Sequence, residues 1–239
     1  MDLLSKQQQE TINNAKKYII DIFKDDSSGH DIEHSLRVFK NSIDISKNIL
    51  STNKEIKLNL FIISLCAILH DVDDYKIKNY NKENPYQNLL NFIEQNKIIN
   101  SEDIDLIKEI ISEVSFKAGE TKTPQTLEGK IVQDADRLDA LGAIGIARAF
   151  AFSGSKKRKI YDKENIKDLE KRNFEPFNMD NVSFEQYKNK KTDTVTHFYE
   201  KLLKLENMMN TEQAKLIARK RTEFMKNYLK ELFEEISEK

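Results

Sequence analysis

The sequence predicts an all-α protein. Turn formers are scarce: the 239 residues hold 6 Gly and 3 Pro, against average usage of about 7% and 5%. Sandwiches and barrels need many turns, so the shortage favours helices. Apolar residues also recur at helical spacing through most of the chain. The third observation is Leu58 to Leu69, LNLFIISLCAIL, an almost unbroken apolar run. It falls short of the roughly 20 residues that a membrane span needs. It exceeds the about 4–8 residues of a buried strand. A helix buried on most sides fits it best.

The elements follow in order. A first helix covers 3–24, with Ile12, Ala15, Ile19, Ile20 and Phe23 at helical spacing. DDSSGH, Asp25 to His30, breaks the pattern with a turn. A second helix spans about 30–50, carrying His30, His34, Arg37, Val38, Asn41 and Ile45 on one side. The central apolar helix runs from about 55 to 74. Two more helices cover 84–98 and 102–117, with Ser101 the expected cap of the second. Ala118 to Thr126 reads as a polar loop. Leu127 to Phe152 reads as one long buried helix, whose Gly142, Ala143, Gly145 and Ala147 would allow close packing. Residues 153–192 are polar and irregular, with short helices. Helices over about 192–209 and 211–237 close the chain.

Length allows one large domain or two small ones. We expect a single domain over 1–239, with a core of about 25–152 and the helices of about 192–237 packed on it. Charged residues make up 33% of the chain, yet the net charge is −1. No global field draws nucleic acid or an anionic membrane, so neither is an expected partner. The single cysteine, Cys66, sits inside the apolar run. That excludes a disulfide within the chain and suits a reducing compartment, hence the cytoplasm. The N-terminal MDLLSKQQQETINN has no basic and apolar signal pattern.

The chemistry-bearing residues fall on three separate helices. His34 lies on the second, in GHDIEHSLRV. The apolar run ends abruptly in His70-Asp71, with Asp73 and Asp74 close behind. Asp136 lies on the long late helix, in QDADRLDALG. Two imidazoles and two carboxylates suit a divalent ion, with manganese foremost and Mg, Fe, Co or Ni also compatible. Four protein ligands would leave open positions for water and a phosphoryl oxygen. On the late helix, Val132, Asp136, Asp139, Ala140 and Ala143 share a face that is otherwise small or apolar. A buried, unpaired carboxylate is costly, so Asp136 needs either a cation or a salt bridge to Arg137 or Arg148.

With these motifs in view, the sequence resembles the HD-domain metal-dependent phosphohydrolase superfamily. His34, His70-Asp71 and Asp136 match its H…HD…D pattern. The longer stretches GHDxxHxxRV, LHDxxD, SFK and TLEGKIVQDADRLDALGAIGIAR are similar to its small stand-alone bacterial members, from about 29 to 152. HFYEKLLKL extends the similarity. The GYP signature of cyclic-dinucleotide phosphodiesterases is absent. So is a second histidine set, because His30, His34, His70 and His197 are all the chain has.

The resemblance implies an all-α HD bundle and hydrolysis of a phosphorylated small molecule, a nucleotide foremost. Conversion of a nucleoside triphosphate to monophosphate and pyrophosphate is the first specific expectation. Monophosphate dephosphorylation, (p)ppGpp hydrolysis, cyclic-nucleotide phosphodiesterase activity and a non-catalytic metal or nucleotide sensor are the alternatives. Asp74 matches the acid that handles a proton in related nucleotidases. Asp73 is expected in solvent.

His30, Lys76, Lys117 and Arg148 are candidate phosphate contacts. Each also has an ordinary explanation: His30 can merely start a helix, the lysines can sit at helix ends, and Arg37 or Arg148 can pair with a core acid. Asp31 suits a helix N-terminus. Lys156 to Lys159 is a solvated surface, a lid over a phosphorylated substrate or a nucleic-acid contact. His197 reads as a core or interface residue. The substrate, the metal and the oligomeric state are not encoded in these patterns.

Overall fold

A computed structural model describes residues 4–24, 31–75, 80–97 and 99–237. Among them are eleven α-helices, two 3-10 helices and no strand. The chain divides into two compact units, one of Met1–Ser115 with Thr123–Asp136 and one of Phe116–Lys122 with Arg137–Lys239.

The first unit holds α1 (Lys6–Ile22), α2 (Ile32–Thr52), α3 (Leu60–Leu69), α4 (Gln87–Gln95), α5 (Ser101–Val114) and most of α6 (Leu127–Asp139). The apolar run forms α3, and α1, α2 and α5 pack around it. Phe61 to Leu69 are all buried, each large side chain contributing about 1.5–3 kcal/mol through burial. Cys66 is among them, a free thiol whose pKa is pushed up by burial and by the nearby Glu128 carboxylate.

Side-chain caps start α1, α2, α3 and α5. Ser5 and Gln8 form a reciprocal capping box on α1. Asp31 accepts from the His34 N–H at 2.7 Å, and Asn59 from the Ile62 N–H at 3.1 Å. The expected Ser101 cap is displaced by one residue, because Asn100 accepts from the Asp103 N–H at 2.8 Å. Such a cap contributes about 1 kcal/mol.

Two helix expectations need correction. The central helix is shorter than 55–74. It starts at Leu60, and beyond Leu69 the bonds are three residues apart: Val72 N–H to Leu69 O at 3.2 Å and Asp74 N–H to Asp71 O at 3.0 Å. His70 to Asp74 therefore form turns, not helix. The long helix over 127–152 is in fact two, α6 and α7 (Gly142–Ser155). Gly142 stands at φ +73°, a conformation glycine adopts freely and other residues rarely do. A Cβ on Gly145 would lie 2.2 Å from the Ala140 carbonyl oxygen. The two glycines thus serve the break between helices.

The second unit holds α7, α8 (Lys163–Lys171), α9 (Phe184–Asn189), α10 (Thr194–Glu200), α11 (Glu212–Ile236) and 3-10 helices at Ala118–Glu120 and Leu202–Met208. Phe150, Phe198 and Tyr228 form an aromatic cluster, with centroids 6.1 to 6.3 Å apart. The last carbonyls of α6 are met by arginines, as helix C-termini require. Arg221 donates to Leu138 O, and Arg148 to Asp139 O at 3.3 Å. Arg137 donates to Met208 O.

Candidate metal centre

The end of α3 and its following turn, the start of α2 and the last turns of α6 each deliver a ligand type. His34 is the third residue of α2, oriented by the Asp31 cap. His70 is the C-cap of α3, and Asp71 follows in the turn. Asp136 faces them from α6. His34 Nε2 lies 3.2 Å from His70 Nε2, 3.3 Å from Asp71 Oδ2 and 3.4 Å from Asp136 Oδ1. His70 Nε2 is 3.4 Å from Asp71 Oδ2 and 3.8 Å from Asp136 Oδ1. The donor atoms of His34, His70 and Asp136 all lie within 4.8 Å of one another.

These separations fit one six-coordinate ion. Donors about 2.1 Å from an octahedral centre are about 3.0 Å apart when adjacent and about 4.2 Å apart when opposite. The imidazole planes stand at 74° to one another, and their Nε2 atoms are the points of approach. His70 Nδ1 lies 3.0 Å from the Ala67 carbonyl oxygen. A carbonyl only accepts, so Nδ1 carries the hydrogen and donates it. That leaves the Nε2 lone pair facing the cluster, the arrangement in which histidine binds metals. The donor set is buried at the imidazoles, with His34 1% exposed, and open at Asp136, 24% exposed. The cluster is thus enclosed on its imidazole side and reachable from solvent at Asp136.

Neighbouring side chains hold the ligand-bearing elements in register. Asn41 of α2 donates to Ala135 O, next to Asp136, at 3.3 Å. Glu128 of α6 accepts from the Asn59 N–H at the head of α3 at 2.9 Å. Gln133 of α6 donates to Glu113 O of α5 at 2.7 Å.

Without an ion, the cluster binds a proton. Burial lowers the His70 pKa, but the Asp71 and Asp136 carboxylates outweigh it. With Ala67 O, they raise it from the ordinary 6.5 to about 9. A raised folded-state pKa stabilises the fold fully below the unfolded value and loses that contribution as pH rises through the folded one. Metal-free protein should therefore lose thermal stability between pH 6.5 and 9. Over the same window divalent-ion affinity should rise, because binding displaces the proton. Thermal melts of chelator-treated protein and titrations in buffers of different ionisation enthalpy test both.

The other sequence-derived candidates separate. Asp74 is half-buried in the turn after the doublet. Asp73 is not in solvent: its carboxylate accepts from the backbone N–H groups of Asn88 and Leu89, each at 2.9 Å. Those donors belong to the first turn of α4, where a carboxylate is favoured. Lys117 precedes the first 3-10 helix of the second unit. Arg148 pairs with the Asp139 carboxylate at 2.9 Å. Lys156 and Arg158 lie over the Phe152 ring, and Lys159 pairs with Asp162 at 3.0 Å. His197 lies in α10. His30 and Lys76 lie outside the described residues. The partners of Asp73 and Arg148 had no motif that could have flagged them.

Comparison with known proteins agrees with this geometry. The HD domain family matches residues 31–141, a span that includes all four converging side chains. The uncharacterized protein YpgQ of Bacillus subtilis (strain 168) is 33% identical over 226 residues, 92% of this chain and 91% of its own. This chain belongs to the HD family. Its HD fold is also that of several solved structures. A Lactobacillus plantarum protein superposes with a TM-score of 0.77 at 33% identity, over 98% of each chain. An HD-superfamily hydrolase from Bacillus thuringiensis gives 0.66 at 34%, over 95% of this chain and 97% of its own. YpgQ in complex with ADP gives 0.67 at 30%, over 96% and 97%. The HD protein described here thus has the fold of the HD-superfamily hydrolases. No helix among its described residues is long and apolar enough to cross a membrane.

Proposed function

We propose that this protein is a metal-dependent phosphohydrolase of nucleotides, converting a nucleoside triphosphate to monophosphate and pyrophosphate. The observation that carries the reading is the convergence of His34, His70, Asp71 and Asp136 donor atoms within 3.2 to 3.8 Å of the imidazole nitrogens. The ADP complex of YpgQ supports a nucleotide as substrate class.

His34, His70, Asp71 and Asp136 would hold the ion, manganese foremost. When bound, a divalent ion lowers the pKa of water and polarises a phosphoryl oxygen. The protein's own groups do the rest. Asp71 and Asp136 supply negative charge, and the Nδ1 bond to Ala67 keeps the His70 ring in its binding tautomer. Asp74 accepts the proton that water gives up. The water oxygen bonds to the α-phosphorus, the bond from that phosphorus to the α–β bridging oxygen breaks, and pyrophosphate leaves with the electron pair. His30, Lys76, Lys117 and Arg148 are the proposed contacts for the substrate phosphates. In this reading the whole chain acts as one HD domain in the cytoplasm.

The test is a nucleotide panel incubated with protein and Mn²⁺, with phosphate and pyrophosphate measured separately. Pyrophosphate from triphosphates is the expected result. Phosphate from monophosphates would move the reaction to the terminal ester. Mn²⁺ binding without turnover of any nucleotide would leave a sensor and overturn the proposal.

A further inference from the structure

Asp71 and Asp74 lie in a turn that the helix ladder of α3 no longer supports. Val72 N–H to Leu69 O and Asp74 N–H to Asp71 O are bonds within the segment itself. A ligand and a proton acceptor placed to catalytic tolerance need support from outside their own segment as well. Such support comes from α4. The Asn88 side-chain amide donates to Val72 O at 2.8 Å. In return the Asp73 carboxylate accepts from the Asn88 N–H and the Leu89 N–H, each at 2.9 Å. The Asn88 carbonyl is itself held, accepting from the Tyr18 hydroxyl of α1 at 2.9 Å.

We infer that Asp73 and Asn88 form a reciprocal strap that positions Asp71 and Asp74, making Asn88 a positioning residue for the metal centre. The inference rests on the metal reading of that centre. Asn88 holds the carbonyl directly after Asp71, and Asp73 directly precedes Asp74. The three bonds therefore hold the two residues that lie between Asp71 and Asp74. Val72, buried to 1% exposure, anchors the same turn from its apolar side. Asp73 satisfies two N–H groups that the start of α4 would otherwise leave without intrahelical partners. One acid thus starts α4 and ties it to the turn.

The strap is tested by titrating Mn²⁺ alone into full-length wild type, Asn88→Ala, Asn88→Asp and Asp73→Asn, well below each melting midpoint. Steady-state kinetics then follow with the nucleotide turned over. Outer supports of a metal site typically change affinity or activity by about 10–100-fold, so Asn88→Ala should weaken Mn²⁺ binding and lower kcat by about tenfold. KM should stay unchanged. Asn88→Asp keeps the size of the side chain but has no amide donor for Val72 O, and should match Asn88→Ala. It decides the question if the alanine variant does not fold. Asp73→Asn retains one acceptor and should fall between wild type and Asn88→Ala. Gln87→Ala, which breaks a side-chain bond along α4, should leave Mn²⁺ affinity and kcat unchanged.

If Asn88→Ala lowers the melting point yet binds Mn²⁺ and turns over as wild type does, the strap is structural only and the inference fails. If wild type itself binds no Mn²⁺, the metal reading fails first and takes the inference with it.

Discussion

Asp136→Asn should abolish tight divalent-ion binding and lower kcat by about a thousandfold, close to 4 kcal/mol of transition-state stabilisation. The substitution keeps the side chain's size and removes its charge. Asp136 Oδ1 lies 3.4 and 3.8 Å from the two imidazole Nε2 atoms, close enough to share one ion with them. An amide oxygen is a neutral, weaker donor to a hard cation. The fold should survive, because Asp136 is partly exposed and starts no helix. In the metal-free state the variant should also bring the His70 pKa down from about 9, since Asp136 is one of the groups holding it up. Metal titration of the variant and a pH series of melts check the two effects separately. An Asp136→Asn protein with wild-type ion affinity would break the four-residue site.

Arg148→Met should destabilise the protein by about 3 kcal/mol, the low end for removing one partner of a buried ion pair. Asp139 is 2% exposed, and the Arg148 guanidinium lies 2.9 Å from its carboxylate. The same guanidinium reaches the Asp139 carbonyl at the end of α6. Methionine replaces the aliphatic stem and neither interaction. Chemical denaturation measures the loss. The proposed phosphate contact by Arg148 predicts a second effect, a raised KM in the folded variant below its midpoint. A variant with wild-type stability would contradict the ion pair, and one with wild-type KM would remove Arg148 from the substrate contacts.

The two substitutions show what could be read in the sequence. Asp136 was legible as a candidate because a carboxylate on a small, apolar helix face needs a cation or a charged partner, and two histidines and another acid stood on other helices. Arg148 was legible only as a pair of alternatives. Nothing local says which acid a guanidinium will meet, and Asp139 was one of several.

The sequence by itself determined the all-α class and the burial of Phe61 to Leu69, and it singled out His34, His70, Asp71 and Asp136 as candidate ligands. The first two follow from local pattern, scarce turn residues and apolar periodicity; the candidates came from residue types on separate elements together with the family resemblance. Tertiary structure alone decided the break at Gly142, the Asn100 cap in place of Ser101, and the capping of α4 by Asp73. The physical reason is reach. Helical periodicity is written in neighbours three and four residues apart, and survives any arrangement of the chain. The partner of a carboxylate or the sign of a φ angle depends on which distant segment arrives beside it. Asp73 reads as a solvated acid until α4 brings two unpaired N–H groups to it.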